Sequence, residues 1–344
     1  MSEETKNKFV IWLKKYKRLI IGLSTLFLII LMIFLVDFRS FIDRITTIGI
    51  WGTFLFVICY SVAFLLRAYK LKFIFIGLDQ NIRFSTSIFS IGACFVINDL
   101  TPGKVGDIAK IFIIKDQESK RLSESVAAIS IERVLDLIFL FLICSFTLVY
   151  LYIINIDVTI LGQRIQFYLI IGAILIILLI IFFLLLLYKT ELVLKVVQKI
   201  SKKLEFYVRR FLINFKEGIK KFRNHKKDFL YIVILSFPTW IFDAIIIVIF
   251  FYFSGYAVNV FILILAAILL FFSKTFPITP GGWGISENIG ALFVSLFYPS
   301  IPYAEILSLF IIDHLFRSVY LFFYGGYSIF HYNYKLKEIQ DIEL

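Results

Sequence analysis

The chain has 344 residues, of which 60% are hydrophobic and only 17% charged, with a formal charge of +12 at pH 7. An ordinary soluble domain carries about 25% charged residues, and a mean hydropathy of +0.93 excludes one here. The positive excess sits beside apolar runs, most densely in 189–227, so it marks cytoplasmic loops and anionic lipid head groups and excludes nucleic acid as the partner.

The chain opens with MSEETKNKFVIWLKKYKRL, basic and then apolar. The run 19–36 is too long for a signal-peptide core and no small-residue cleavage pattern follows it, so it reads as a retained first span with a cytoplasmic amino terminus. A short outer loop holding Asp37, Arg39, Asp43 and Arg44 is expected next. A second span, 48–66, returns to a cytoplasmic segment with Arg67, Lys70, Lys72 and Arg83. The next apolar run, 84–97, falls short of the roughly 20 residues that cross about 30 Å of hydrocarbon. It ends in NDLTPGKVGD (98–107), and a second short arm, 108–114, leads to KDQESKR. Both arms are therefore expected to enter and leave on one side.

Full spans follow at 125–153 and 167–188. The basic segment 189–228 carries Leu192, Val193, Val196, Val197 and Ile200 at helical spacing, which predicts an amphipathic helix in the head-group layer or a solvated connector. A span at 229–253, a short arm at 260–273, the break FPITPGGWGISE (276–287), an arm at 285–297 and a span at 304–330 complete the chain, with the tail KLKEIQDIEL in the cytoplasm. The expected fold is an all-α integral membrane protein, one polytopic domain over 1–344 with about six full spans and two re-entrant broken hairpins. The halves 48–153 and 229–330 share the order span, broken hairpin, span, and their hairpins enter from opposite faces. Such an inverted repeat is common in transporters, whose substrate sites lie near the midplane where broken elements meet.

The breaks themselves carry Thr101, Pro102, Gly103, Lys104, Gly106 and Asp107 in one half, and Thr279, Pro280, Gly281, Gly282, Gly284 and Glu287 in the other. Backbone groups freed by proline and glycine must find partners in protein or water at this depth. A new helix is expected from each of Gly106 and Gly284, its first amides and positive dipole end suited to an anion such as phosphate; kinks made for packing alone are the other reading. Charged residues inside spans, each costing about 2.5–3.5 kcal/mol on insertion scales, add to this. In AISIERVLDLIF, Glu132 and Asp136 share a helix face beside Arg133; in LFIIDHLFRSVY, Asp313 and Arg317 are likewise four apart, with His314 between.

Lys104, Arg133, Lys274 and Arg317 suit a phosphate, arginine being the better fork. Asp107, Glu132, Asp136, Glu287 and Asp313 would balance those cations or carry protons. The alternative is that Arg133 and Arg317 form interhelical salt bridges with acids of the other half. Asp243, alone in PTWIFDAIIIV, is expected to face the same interior. His225, His314 and His331 are too far apart for a metal site, and Cys59, Cys94 and Cys144 lie scattered in apolar runs without disulfide or CxxC spacing. With no nucleotide loop and no nucleophile motif, neither a cofactor nor enzyme chemistry is expected.

LTPGKVGDIAKIFII, SVAAISIERVLDLI and FPITPGGWGISE, with the late arginine-bearing span, resemble the lysylphosphatidylglycerol synthase transmembrane family, the flippase-like domain, over roughly 15–330. In its two-part resistance proteins this domain moves aminoacylated phosphatidylglycerol between leaflets and a soluble domain makes the lipid. The resemblance implies a stand-alone member without the synthase domain, so lysyl transfer is not carried over. Asp107 stands where similar sequences often have glutamate, keeping the charge and shortening the reach. The expected function is a flippase for an anionic, phosphate-bearing lipid, a phospholipid or a polyprenyl-linked carrier, in the plasma membrane with both termini cytoplasmic. Two alternatives stand beside it. One is a non-catalytic partner of a separate lipid or glycan synthase docking on 189–228; the other is a membrane enzyme acting on a lipid phosphate with Glu132, Asp136 or Glu287 as base.

Overall fold

The computed structural model describes residues 38–102, 104–154, 189–202, 224–274 and 279–332, with scattered residues between 159 and 221. The expected span at 19–36, most of that at 167–188, and Gly103 lie outside the described residues. In chain order the elements are α1 (Phe38–Gly77), α2 (Phe84–Leu100), α3 (Val105–Gln117), α4 (Leu122–Ile153), α5 (Thr190–Ile200), α6 (Lys226–Phe253), α7 (Val260–Ser273), a 3-10 turn (Pro280–Gly282), α8 (Ser286–Phe297) and α9 (Tyr303–Tyr332). Two two-residue strands, Thr159–Ile160 and Gln163–Arg164, pair between α4 and α5.

The fold is that of an all-α membrane protein. Four of the described helices, Phe41–Gly77, Leu122–Ile153, Lys226–Phe253 and Tyr303–Tyr332, are long and apolar enough to cross a membrane. Their polarity is inside out relative to a water-soluble bundle. Phe54, Leu142, Phe146, Phe322 and Phe323 are exposed, while Lys70, Lys110, Glu132, Glu287 and His314 are buried. In hydrocarbon the outward apolar faces cost nothing, and helix association rests on close packing and interhelical polar contacts. Gly92 and Gly325 supply the close packing between α2 and α9. A Cβ on Gly325 would lie 2.7 Å from the Gly92 carbonyl oxygen, and one on Gly92 would lie 2.4 Å from Ser328 Oγ.

Three helices end alike. The amides of Gln80, Lys120 and Tyr256 reach back to the carbonyls of Phe75, Lys115 and Phe251, at 2.9, 3.1 and 3.0 Å. A residue of positive φ, Asp79, Ser119 or Gly255, precedes each amide. This six-to-one closure uses carbonyls that the last helical turn leaves open. It turns the chain sharply, which places α2 against α1, α4 against α3 and α7 against α6.

Packing repeats between the halves. In the first, α1 packs on α2, α2 on α3 and α3 on α4; in the second, α6 packs on α7, α7 on α8 and α8 on α9. Contacts across the halves pair off as well: α2 with α9 and α7 with α4, α1 with α9 and α6 with α4, all around the large α1–α6 interface.

The charge-based threading of the first half needs two corrections. Residues 38–47, expected as an outer loop, are the first turns of α1, which bends at Gly49, where φ is 55°. Arg44 there donates to Glu305 Oε2 at 2.6 Å and to the Ser254 carbonyl at 3.1 Å, tying α1 to the start of α9 and the end of α6. Arg67 and Lys70, expected in the cytoplasm, are buried, 4% and 0% exposed. A charge count assigns every cation to water, whereas a cation with a carboxylate partner can enter the interior.

Candidate functional site

The two breaks meet inside the protein. A Cβ on Gly281 would lie 2.7 Å from the Asp99 carbonyl oxygen, so the end of α2 rests directly on the 3-10 turn of the second break. The turn brings Gly281, Gly282 and Gly284 to φ of 61°, 82° and 84°, a region that side-chain-bearing residues rarely adopt.

In the first break, Thr101 Oγ1 donates to the Ile97 carbonyl at 2.6 Å, closing α2 just before Pro102. Asn98 Oδ1 accepts the Gly106 amide at 2.8 Å. Gly106 is pressed on α2 so closely that a Cβ would fall 2.0 Å from the Cys94 carbonyl oxygen. In the second break, Glu287 Oε2 accepts the Gly284 amide at 2.8 Å, Ser286 Oγ donates to Glu287 Oε1 at 3.0 Å, and Thr279 Oγ1 is buried without a partner. The expectation that the Gly106 and Gly284 amides await an anion is therefore corrected: both are capped by side chains of the protein itself.

Around the breaks the interior charges form ion pairs. Lys110 Nζ lies 2.7 Å from Glu132 Oε2, both buried. Arg133 pairs with Asp107 and, at 3.3 Å, with Asp136, whose other oxygen pairs with Lys70. Arg317 Nε donates to Asp313 at 2.9 and 3.0 Å, and its other nitrogens donate to Asp243 Oδ1 at 3.3 Å and to the Asp243 carbonyl at 2.8 Å. Asp243 is also paired with Arg67. The structure thus places Arg133 and Arg317 with acids of their own halves, where salt bridges to the other half were the alternative expected. Arg67 with Asp243 makes the crossing instead. Arg133 keeps one buried nitrogen, Nε, without a partner.

Lys104 and Lys274 differ from these cations. One stands at each break, and neither has a carboxylate within ion-pair distance among the described residues. Arg133 and Asp107 act on Lys104 more strongly than Lys274 does, and the charges that act on Lys274 are Glu287, Asp99, Arg317 and Asp313. Lys104 is exposed and Lys274 half-buried. Counting both, seven basic side chains (Arg67, Lys70, Lys104, Lys110, Arg133, Lys274, Arg317) stand among seven carboxylates. Those are Asp99, Asp107, Glu132, Asp136, Asp243, Glu287 and Asp313.

Sequence reasoning missed Arg67, Lys70, Lys110 and Asp99. A signal was present: Arg67 with Lys70, and Asp107 with Lys110, are each three apart in apolar surroundings, so each pair shares a helix face. His314 was discounted with the metal question, yet it is fully buried, with Nδ1 on Glu287 and Trp283 stacked on its ring, the centroids 4.0 Å apart.

Broken helices that meet among buried, paired charges, wrapped in an apolar exterior, define an integral membrane protein with a polar interior site. The chain belongs to the family described as the lysylphosphatidylglycerol synthase TM region, whose model matches residues 19–325. The match ties it to membrane lipids. No curated protein and no solved structure is similar enough to the chain to match it.

Proposed function

We propose that this protein moves an anionic, phosphate-bearing lipid between membrane leaflets, holding the head group where the two breaks meet while the acyl chains stay in lipid. One observation carries this reading: Lys104 and Lys274, one from each break, have no carboxylate in direct contact among the described residues, although Arg67, Lys70, Lys110, Arg133 and Arg317 are paired. Lys274 answers to Glu287 and Asp99 at longer range, but with no carboxylate in direct contact each ammonium can donate to an anion. Arg133 Nε, next to Lys104 in charge, supplies a further donor.

We read the halves as an inverted repeat in the plasma membrane with cytoplasmic termini, each break serving one leaflet. The recurrence of packing between the halves supports rocking of one against the other as the means of alternating access.

The test is leaflet exchange in proteoliposomes of fluorescent phosphatidylglycerol and phosphatidylcholine, wild type beside Lys104→Ala plus Lys274→Ala. Exchange selective for the anionic lipid and reduced at least tenfold in the double variant is expected. Equal exchange of both lipids, or an unaffected double variant, would sink the reading.

A further inference from the structure

The ring of His314 on α9 stands between one carboxylate from each half. Nδ1 meets Glu287 Oε1 of α8, and Nε2 lies 3.4 Å from Asp99 Oδ1 at the end of α2, with no hydrogen-bond partner of its own. A neutral imidazole has a single N–H. Donated from Nδ1 to Glu287, that hydrogen leaves the Nε2 lone pair facing the Asp99 carboxylate, acceptor against acceptor. One added proton turns the same contact into a charge-assisted hydrogen bond.

Charged groups from four helices surround the ring. Glu287 comes from α8, Asp99 from α2, and Lys274 at the end of α7 acts on both carboxylates. Trp283 covers one face of the ring from the second break. On α9 itself, Asp313 and Arg317 satisfy each other. Two carboxylates against one lysine leave one negative charge unbalanced, and an anion that engages Lys274 increases the deficit.

We propose that His314 is a proton-binding site that ties the two breaks together when occupied, and that its occupancy is linked to the anionic head group at Lys104 and Lys274. In the step, water gives up a proton, an N–H bond forms at Nε2, and the reverse step returns the proton to water; no other bond changes. Asp99, whose side chain keeps 14% of its surface exposed, is the route. Asp99 is also the residue that touches Gly281, so protonation strengthens the seam between the halves and loss of the proton loosens it. The linkage to the head group rests on the function proposed above; the proton site does not.

The stacked indole provides a readout that requires no lipid movement, because an imidazolium quenches the fluorescence of an indole stacked on it. With Trp12, Trp51 and Trp240 replaced by Phe, Trp283 fluorescence is followed across the pH range in which the protein stays folded. The protein is held in phosphatidylcholine nanodiscs, with and without phosphatidylglycerol. Reversible quenching on acidification is expected, absent in His314→Gln and altered in Asp99→Asn. A flat curve, or one that persists in His314→Gln, overturns the site.

Phosphatidylglycerol is expected to displace the quenching curve more in the wild type than in Lys104→Ala plus Lys274→Ala, which feels the same surface potential. An equal shift in the two overturns the linkage. Absent leaflet exchange beside an intact titration would count against transport and leave the proton site standing.

Discussion

Arg67 of α1 and Asp243 of α6 form a buried ion pair that crosses from the first half of the chain to the second. Asp243 also receives Arg317 of α9, so a single carboxylate holds two buried guanidinium groups. Removing one partner of a buried pair costs about 3–5 kcal/mol, because the other charge is left uncompensated. Asp243→Ala should lower the thermal unfolding midpoint in detergent sharply. Asp243→Asn, which keeps an acceptor, should lower it less. Equal midpoints for Asp243→Ala and wild type would show that the pair does not hold the halves.

Glycine at 106 is set by contact. With a Cβ due 2.0 Å from the Cys94 carbonyl oxygen, a backbone atom that cannot swing aside, Gly106→Ala must push α3 off α2. Overpacking of this kind costs about 1–3 kcal/mol. Gly326 has nothing within 4 Å of its Cβ position, so Gly326→Ala is the matched control and should unfold with the wild type. Thermal unfolding of the two variants side by side tests the difference.

The inverted repeat proposed above, with hairpins entering from opposite faces, makes a topological prediction. Ser119, in the turn after α3, and Ser300, in the turn after α8, are both exposed. In a chain cleared of its three cysteines, Ser119→Cys should react with a membrane-impermeant maleimide from the cytoplasmic side and Ser300→Cys from the outer side. Reaction of both from one side would rule out the inverted arrangement.

Beyond the spanning helices, His225 forms a contact that responds to pH. Its Nε2 lies 2.8 Å from Asp79 Oδ1 and its Nδ1 lies 3.1 Å from Asp228 Oδ2. These hydrogen bonds, first to Asp79 and then to Asp228, raise its pKa above the ordinary value. A raised folded-state pKa means the stabilisation is complete below the unfolded value, about 6.5, and is lost as pH rises through the folded one. Hydrogen exchange in the turn at 78–83, corrected for intrinsic rates, should therefore be faster at about pH 8 than at about pH 6. His225→Gln should abolish the difference.

The sequence made the order of long and short helices legible because hydrocarbon thickness converts directly into residue count, and the TPG breaks punctuate the apolar runs. Its charge map was less legible. Arg67 and Lys70 read as cytoplasmic because nothing local announces Asp243 or Asp136, their partners 176 and 66 positions away. The breaks could be seen, but not that Asn98 and Glu287 cap them, since a cap depends on side-chain direction within a bent backbone. His314 lacked a signal of its own, because its two carboxylates come from other helices.

The equal numbers of basic and acidic groups along the breaks have an electrical consequence. On the transport reading, the seven described cations and seven described carboxylates cancel in sum, so moving the empty site as a unit would carry little charge through the membrane voltage. A bound monoanion would make the moving site carry one charge, worth about 2.3 kcal/mol per 100 mV. A monoanion accompanied by one proton would restore neutrality. The voltage dependence of leaflet exchange then reads out stoichiometry: a rate that follows the applied potential means the anion travels alone, and a rate indifferent to it means a proton goes with it.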